Sequence, residues 1–391
     1  MGEVVQISAP VQKIIDDIDT APPPLVVTFL LNRHPLLGGD YYRAYRAGAL
    51  ASARFGWHTT LADKMGKSET NPEGRLGFVT PVEMMGMPVE MARVFFPDVI
   101  VIRPVEKWTL EDTLQAQANG QKVIADVDDD LWGHEDLLAA GTTLTEEGST
   151  YDTWFGEVDA VLCSTRHLAR KVRDFGYRAR VFYAPNCYDP TVLNAEPKPS
   201  RRLGTRLWLS GRSDAELTMY DEWVYPLLDR LDLSFTHIGA DEPEVDELPA
   251  QSGVKARRRF GWDTPRLIER PSMVIPELAK EFARFSIGTI MMVDNEYNRS
   301  KTDTSAVELG LAGLPLVAAS THELYRNIPG VVSPTARDVE KRVRELLNPE
   351  TWAIESKRVK TWARQRAMAC ESKYLESLLA AVNYVTVGSS T

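Results

Sequence analysis

The segment from Tyr297 to Pro315 contains side chains whose types and spacing suit the binding of a phosphorylated ligand. It holds one cation, Lys301, and two hydroxyl residues, Thr302 and Thr304, directly before a predicted helix. A helix N-terminus offers unpaired N–H groups and partial positive charge, so this segment could hold a diphosphate. Glu308, further along the helix, could accept hydrogen bonds from two ribose hydroxyls. The alternative is an ordinary capped helix with both charged groups in water.

A glycine turn earlier in the chain offers a second phosphate contact. The sequence LWLSGR at 207–212 predicts a buried strand followed by a turn. Gly211 would let the backbone approach a phosphate because it has no Cβ. Arg212 would add a forked guanidinium that is always charged. A tight turn with an arginine in water is the alternative interpretation.

An acidic turn follows a third predicted strand, with the sequence DVDDDLW at 126–132. Carboxylates at a strand end can hold a divalent cation, because hard cations take oxygen ligands. A solvated turn that caps a helix, or a role in acceptor recognition and cleft shape, are the other interpretations. We favour a site without metal and expect Asp128 to lie on the acceptor side.

The elements that must position these groups alternate between strands and helices. Short apolar runs without period-2 polarity predict buried parallel strands, and the segments between them predict helices. The pattern stops at a polar stretch with two prolines, 194–203, which predicts a linker, and then begins again. In the first half, strands are predicted at 25–31, 57–62, 98–103, 122–127, 160–163 and 180–183, and helices at 11–18, 41–55, 110–119 and 166–174.

The second half repeats this architecture and ends in a long helix. Its predicted strands are 206–210, 234–238, 286–292 and 315–319, and Gly239 closes the second of them. A helical tail is predicted from 351 to about 385. We therefore predict two Rossmann-like, doubly wound α/β domains that face each other across a cleft. Their predicted ranges are 1–193 and 204–350, followed by a tail at 351–391 that crosses back to the N-terminal domain.

The segment 297–315 resembles the nucleotide-sugar site of GT-B glycosyltransferases, in particular the retaining family-4-like group found in bacterial and phage genomes. The matching positions, without a gap, are Tyr297, Asn298, Lys301, Thr302, Glu308, Gly313 and Pro315. The strand and turn at 207–212 resemble the start of the donor domain in the same group. The acidic turn, and the pair CSTR at 163–166 and PNCYD at 185–189, also resemble stretches of these enzymes. We interpret that pair as interdomain structure.

The resemblance implies a role for each matching residue. Arg212 and Lys301 would be catalytic, because they would hold the donor diphosphate as it leaves. The donor would also contact Gly211, Gly239, Asn298, Thr302 and the ribose-binding Glu308. The turn after the first strand would face the donor from the acceptor side through Gly38, Gly39 and Arg43.

Composition limits the other classes of function. The net charge of −10 disfavours nucleic acid as a partner without excluding a local basic groove. No apolar run reaches the length of a membrane span, and no basic signal segment begins the chain. The three cysteines, which are far apart, fit a reducing compartment. We expect a cytoplasmic protein, in the host cytoplasm if it is phage-encoded.

The sequence therefore predicts a glycosyltransferase that uses a nucleotide-diphosphate sugar. UDP or GDP is the expected nucleotide, and no other cofactor is expected. The acceptor is open, with a phage structural protein or modified DNA among the candidates, and so is the oligomeric state. A nucleotide-sugar epimerase of the same fold is one alternative. A catalytically silent donor-binding module is another, because Ser300 and Ser305 stand where relatives carry a glutamate and a second lysine. A two-lobed periplasmic-type binding protein is disfavoured.

Overall fold

The computed structural model describes residues 25–31, 40–64, 76–79, 97–103, 110–132, 153–206, 214–240, 266–271, 273–321 and 323–387. Two sheets organise these residues, one of seven strands and one of six. The strand order is β3-β2-β1-β4-β5-β6-β7 in the first sheet and β10-β9-β8-β11-β12-β13 in the second. The first sheet comprises β1 (Val26–Leu30), β2 (His58–Lys64), β3 (Leu76–Val79), β4 (Val99–Ile102), β5 (Lys122–Val127), β6 (Ala160–Cys163) and β7 (Arg180–Tyr183).

The second sheet is parallel throughout, whereas β3 joins the first sheet as an antiparallel edge strand. Both orders are doubly wound: the chain moves outward from a first central strand, returns, and continues in the opposite direction. The predicted fold class is therefore confirmed. The second sheet comprises β8 (Arg202–Arg206), β9 (Ser234–Ala240), β10 (Leu267–Pro271), β11 (Ile287–Met291), β12 (Leu316–Ala319) and β13 (Val331–Val332).

Helices cover the sheets and connect the parallel strands, as the alternating pattern predicts. Two of them begin or continue through a π-helical turn, at Tyr41–Tyr45 and Tyr220–Val224. Gly56 ends the first helix with φ +69°, a backbone conformation that favours glycine. The helices are α1 (Arg46–Phe55), α2 (Leu110–Ala118), α3 (Arg166–Asp174), α4 (Asp214–Met219), α5 (Tyr225–Arg230), α6 (Ile275–Phe282), α7 (Glu296–Ser300), α8 (Thr304–Leu311), α9 (Ala336–Leu346) and α10 (Pro349–Val387).

The second sheet begins earlier than the sequence pattern indicates. Strand β8 starts at Arg202, inside the predicted linker, and of the predicted strand 206–210 only Arg206 belongs to the described residues. The segment 202–206 lacks an apolar run because Gly204 occupies its centre. A Cβ at Gly204 would lie 2.5 Å from the Phe285 ring, so the ring can pack against the strand only because residue 204 has no side chain. Strands β3, β10 and β13 were not predicted, and the predicted helix 11–18 lies outside the described residues.

Helix α10 joins the two halves of the molecule. Its first part buries Val359, Ala363 and Ala367 in the core that also contains the buried face of α8. Its later part buries Tyr374 and Leu378 against the N-terminal sheet. The Tyr374 hydroxyl donates a 3.1 Å hydrogen bond to the Arg43 carbonyl, and the Ser377 hydroxyl donates a 2.6 Å hydrogen bond to the Tyr183 carbonyl. One continuous helix therefore packs against both domains.

Candidate functional site

Residues that follow β6 contact residues that follow β11, and ligands of doubly wound folds bind at the carboxyl ends of the strands, where the strand order reverses. In the second sheet that point lies between β8 and β11, and α7 and α8 follow β11. In the first sheet it lies between β1 and β4, and Arg103 follows β4 directly. We use the name cleft for the space between the turn 128–132 with Thr165 on one side and the segment 295–304 on the other.

Lys301 lies at the break between two helices on the C-terminal side of the cleft. Asn295 caps α7, since its side chain accepts a 2.8 Å hydrogen bond from the Asn298 backbone N–H. The backbone becomes extended at Lys301, with φ −70° and ψ 150°, which ends α7 before α8 begins. The Lys301 ammonium lies 4.5 Å from the centre of the Tyr297 ring, a cation–π contact that helps to hold it.

Direct contacts connect the two sides of the cleft. The Thr165 hydroxyl, which also caps α3, donates a 3.1 Å hydrogen bond to the Ser300 carbonyl. His167 and Glu296 are hydrogen-bonded at 2.9 Å between ring Nε2 and carboxylate Oε1. This contact with His167 lowers the pKa of Glu296. The carboxyl ends of β6 and β11 are thereby brought together at the position of Lys301.

The acidic turn after β5 distributes its carboxylates among three different cations. Both carboxylate oxygens of Asp126 accept hydrogen bonds from the Arg43 guanidinium. The Lys171 ammonium lies 2.7 Å from Asp130 Oδ2. Asp128 Oδ2 lies 3.5 Å from an Arg103 nitrogen. In the part of the chain that the structure describes, no three histidine, cysteine or carboxylate groups are arranged to hold a metal ion. Whether the turn holds a metal ion stays a prediction.

Arg103 is a cleft residue that the sequence analysis missed. It follows β4 at the reversal point of the first sheet and pairs with Asp40 at 2.8 Å as well as with Asp128. Its side chain is 17% exposed, and within the described residues its Nε has no hydrogen-bond partner. The available signal was an arginine that ends the apolar strand DVIVIR at 98–103.

The remaining acid of the turn, Asp129, faces the electrostatic field of Lys301. Although Asp129 is exposed, desolvation by the surrounding protein and the neighbouring Asp128 carboxylate raise its pKa, and Lys301 opposes that rise. The electrostatic field of Lys301 therefore reaches a carboxylate of the N-terminal domain.

The hydroxyl pair at the start of α8 is bonded to the N-terminal domain. Thr302 and Thr304 are hydrogen-bonded to each other at 2.7 Å, and Asn186 Nδ2 donates to Thr304 at 2.9 Å. Asp303, between them, accepts a 2.7 Å hydrogen bond from Arg366 of α10 and a 3.1 Å hydrogen bond from the Tyr188 hydroxyl. The segment 185–189 thus lies between the domains, as predicted.

Glu308 is fully buried on α8, where the sequence analysis expected contact with a ribose or with water. The Tyr42 hydroxyl, from the N-terminal domain, donates a 2.6 Å hydrogen bond to Glu308 Oε1. Helix α8 is held close to α10 at Gly310, where a Cβ would lie 2.8 Å from the Ala363 methyl group. The predicted ribose contact of Glu308 stays a prediction.

Arg43, predicted on the acceptor side, has no exposed surface. Its guanidinium donates to Asp126, to the Ala184 carbonyl at 2.8 Å and to Asn186 Oδ1 at 2.9 Å. Burial alone would lower its pKa, but the Asp126 and Asp128 carboxylates outweigh burial and raise it. Arg43 is a structural residue in this conformation, which does not favour its predicted contact with an acceptor.

The other predicted donor residues have distinct positions. Asn298 is buried, and its Nδ2 donates to Glu216 at 2.8 Å and to the Val293 carbonyl at 3.0 Å, so it fixes α7 against α4. Gly239 lies within β9 with φ +108°, which a side chain would strain. The predicted residues Gly38, Gly39, Gly211 and Arg212 lie outside the described residues. Their proposed contacts stay predictions.

Comparison with known proteins supports the fold and gives no family assignment. No family model and no curated protein sequence matches the chain. The chain is similar to the structure of sucrose-phosphate synthase from Thermosynechococcus elongatus, with TM-score 0.59 and 11% identity over 94% of this chain and 100% of that one. It is similar to an O-GlcNAc transferase mutant from Thermobaculum terrenum, with TM-score 0.54 and 15% identity over 93% of this chain and 67% of that one.

A third similar structure has a different title. It is a putative UDP-N-acetylglucosamine 2-epimerase from Listeria monocytogenes, with TM-score 0.53 and 10% identity over 92% of this chain and 96% of that one. At these identities the similarity shows the fold, which is the GT-B fold of glycosyltransferases and of such epimerases. None of the described helices is long and apolar enough to cross a membrane.

Proposed function

We propose that this protein is a glycosyltransferase that transfers a sugar from a nucleotide-diphosphate donor, with UDP or GDP as the expected nucleotide. The observation that carries the proposal is the position of Lys301. It lies beside the N-terminus of α8 and after β11, a strand that borders the reversal point of the second sheet, and the carbonyl of the preceding residue, Ser300, accepts a hydrogen bond from Thr165 of the N-terminal domain. This edge of a doubly wound fold is where phosphorylated ligands bind, and a cation there would neutralise a diphosphate.

Charge development explains how these residues would accelerate transfer. As the sugar takes on oxocarbenium character, the leaving nucleotide diphosphate gains negative charge. Lys301, Arg212 and the backbone N–H groups at the start of α8 would stabilise that charge without a metal ion. Glu308 would bind the ribose after exchanging its hydrogen bond with Tyr42. Retention of the anomeric configuration is part of the proposal and would be read from the product by NMR.

Contacts across the cleft would exclude water from the donor. The hydrogen bonds from Thr165 to Ser300 and between His167 and Glu296 join the rims of the two domains. A closed rim reduces hydrolysis of an activated sugar, whereas entry of the donor requires these contacts to open.

A thermal-shift screen against UDP-, GDP-, ADP- and dTDP-sugars tests the donor site. We expect one nucleotide series to raise the melting temperature, since a ligand that binds only the folded state stabilises it. Lys301→Ala should remove most of that shift and leave the unliganded melting temperature nearly unchanged. Lys357→Ala, at an exposed lysine on α10, is the matched control. Equal donor-induced shifts in the Lys301 variant and the wild type would overturn the assignment of Lys301 to the donor site. The absence of a shift with every nucleotide sugar would overturn the proposal that the protein binds such a donor.

The epimerase alternative shares the fold and is distinguished by product. Incubation of the bound donor alone, followed by NMR of the sugar ring, would show an isomerised donor if the protein is an epimerase. A donor that stays unchanged until an acceptor extract is added, and then loses its sugar to that extract, supports transfer. Donor binding with neither outcome would support a silent binding module. A chelator that abolishes donor binding would overturn metal independence.

A further inference from the structure

A basic pocket lies outside the cleft, between the N-terminal domain and helix α10. It is a cavity of about 340 Å³ whose walls come from α3, β7 and α10. We call it the arginine pocket and define it by Arg166, Arg173, Arg180, Lys373 and Glu376. These lining residues carry an excess of three positive charges, although the whole chain has a net charge of −10. A local field of this sign attracts anions.

The three arginines of the pocket lack acidic partners. Within the described residues, none of the three forms an ion pair. Lys373, by contrast, pairs with Glu376 at 3.4 Å. All three arginines are exposed, and Arg173 donates a 3.0 Å hydrogen bond to the Val181 carbonyl. Guanidinium groups gathered in a concave surface repel one another unless an anion lies between them. The missing counter-charge is therefore expected from a ligand.

Aromatic rings hold two of these guanidinium groups in place before any ligand binds. Arg166 lies 5.2 Å from the centre of the Tyr183 ring. Arg180 lies 5.4 Å from the centres of the Phe182 and Tyr384 rings. Stacking leaves the N–H edges of a guanidinium available and reduces the entropy lost when they bind an anion.

We propose that the arginine pocket binds a ligand that carries two or more phosphate groups. Forked guanidinium donors match the oxygens of a phosphate, and an excess of three charges favours a multiply charged anion over a single carboxylate. The ligand would bridge α3 and β7 to α10. Its binding would strengthen the attachment of α10 to the N-terminal domain. The proposal does not depend on glycosyl transfer.

Isothermal titration calorimetry with tripolyphosphate, inorganic phosphate and citrate tests this proposal on the full chain. We expect tripolyphosphate to bind more tightly than either other anion, and its affinity to fall as NaCl rises from 50 to 500 mM. Arg166→Ala and Arg180→Ala should each weaken that binding about tenfold, because each removes a charge-assisted pair of hydrogen bonds. Arg170→Ala, at an exposed arginine on the same helix outside the pocket, is the matched control and should bind like the wild type.

Three results would overturn the proposal. One is the absence of saturable tripolyphosphate binding, and another is equal affinity for citrate and tripolyphosphate. The third is equal binding by the wild type, Arg166→Ala and Arg180→Ala. Arg166→Gln, which keeps the side-chain length, provides a second variant if circular dichroism shows that the alanine variant misfolds. The donor thermal shift should be unchanged in the Arg166 variants, so failure at the pocket and failure at the donor site are separate outcomes.

Discussion

Charged side chains have opposite surroundings in the acidic turn of the cleft and in the arginine pocket. In the turn, Asp126, Asp128 and Asp130 each contact a different basic side chain, and two of the three carboxylates are fully enclosed. In the pocket, the three exposed arginines have no acidic partner among the described residues, and the acid that lines it, Glu376, pairs with Lys373. A buried charge requires a partner within the protein, because leaving water costs several kcal/mol per ion. An exposed cluster tolerates imbalance and can take its counter-ion from solution.

This comparison separates charges that stabilise the fold from charges that can bind a ligand. Composition does not distinguish them, because acidic runs and scattered arginines are both common on protein surfaces. Their partners in the folded state distinguish them. If this distinction holds, removal of a paired charge lowers the free energy of unfolding strongly, and removal of an unpaired charge changes it little.

The largest expected effect is at Arg43. Arg43→Ala leaves Asp126 buried without its bidentate partner, and the loss of one member of such a pair costs about 3–5 kcal/mol. Urea unfolding should show this decrease in the free energy of unfolding. The double variant Arg43→Ala/Asp126→Ala should lose less than the sum of the single variants, because the remaining charge is gone. Additive losses would mean that the pair is not coupled.

A smaller effect is expected at Tyr42, which supplies a neutral donor to a buried acid. Tyr42→Phe removes the 2.6 Å hydrogen bond to Glu308 and should cost about 2 kcal/mol, since a buried carboxylate oxygen loses its donor. The same variant should bind the donor at least as well as the wild type if Glu308 must leave Tyr42 to contact a ribose. Weaker donor binding would contradict that exchange.

His237 extends the comparison to a titratable group that is buried in the neutral form. It is hydrogen-bonded to the Tyr225 hydroxyl, and burial lowers the pKa of His237 from 6.5 to about 3. Between these values the unfolded chain binds a proton that the folded chain does not, so stability falls as the pH decreases below 6.5. The contribution between pH 7 and 5.5 is about 1 kcal/mol. His237→Gln should reduce the loss of unfolding free energy between pH 7 and 5.5 by this amount, as measured by urea unfolding at both pH values.

The smallest expected effect is at the arginine pocket. Arg166→Ala, at an exposed residue without an acidic partner, should change the free energy of unfolding by less than about 0.5 kcal/mol in the absence of ligand. Chemical denaturation in low-phosphate buffer measures this change. A loss near that of Arg43→Ala would remove the distinction between the two regions.

Local sequence was sufficient to predict the secondary structure that defines the fold. Apolar runs such as DVIVIR and KVIADV have no polar alternation, so they fit only strands that are covered on both faces. Gly56 and the prolines and glycines between runs end elements for reasons that involve only the backbone. Strand β8 was displaced from its predicted position because a segment with two arginines and a central glycine forms a strand only when tertiary neighbours such as Phe285 pack against it.

The amino-acid sequence by itself determined most of the order of strands and helices and the restart of the pattern near residue 203, and it predicted the segment 297–315 as the place for a phosphorylated ligand. Tertiary structure alone decided which charged groups are accessible. Arg43 and Glu308 are buried because Asp126 and Tyr42 reach them from distant parts of the chain, whereas Arg166 and Arg180 converge because α10 lies across β7. The physical reason is that hydrogen-bond partners and burial depend on contacts between residues far apart in sequence, which local periodicity does not encode.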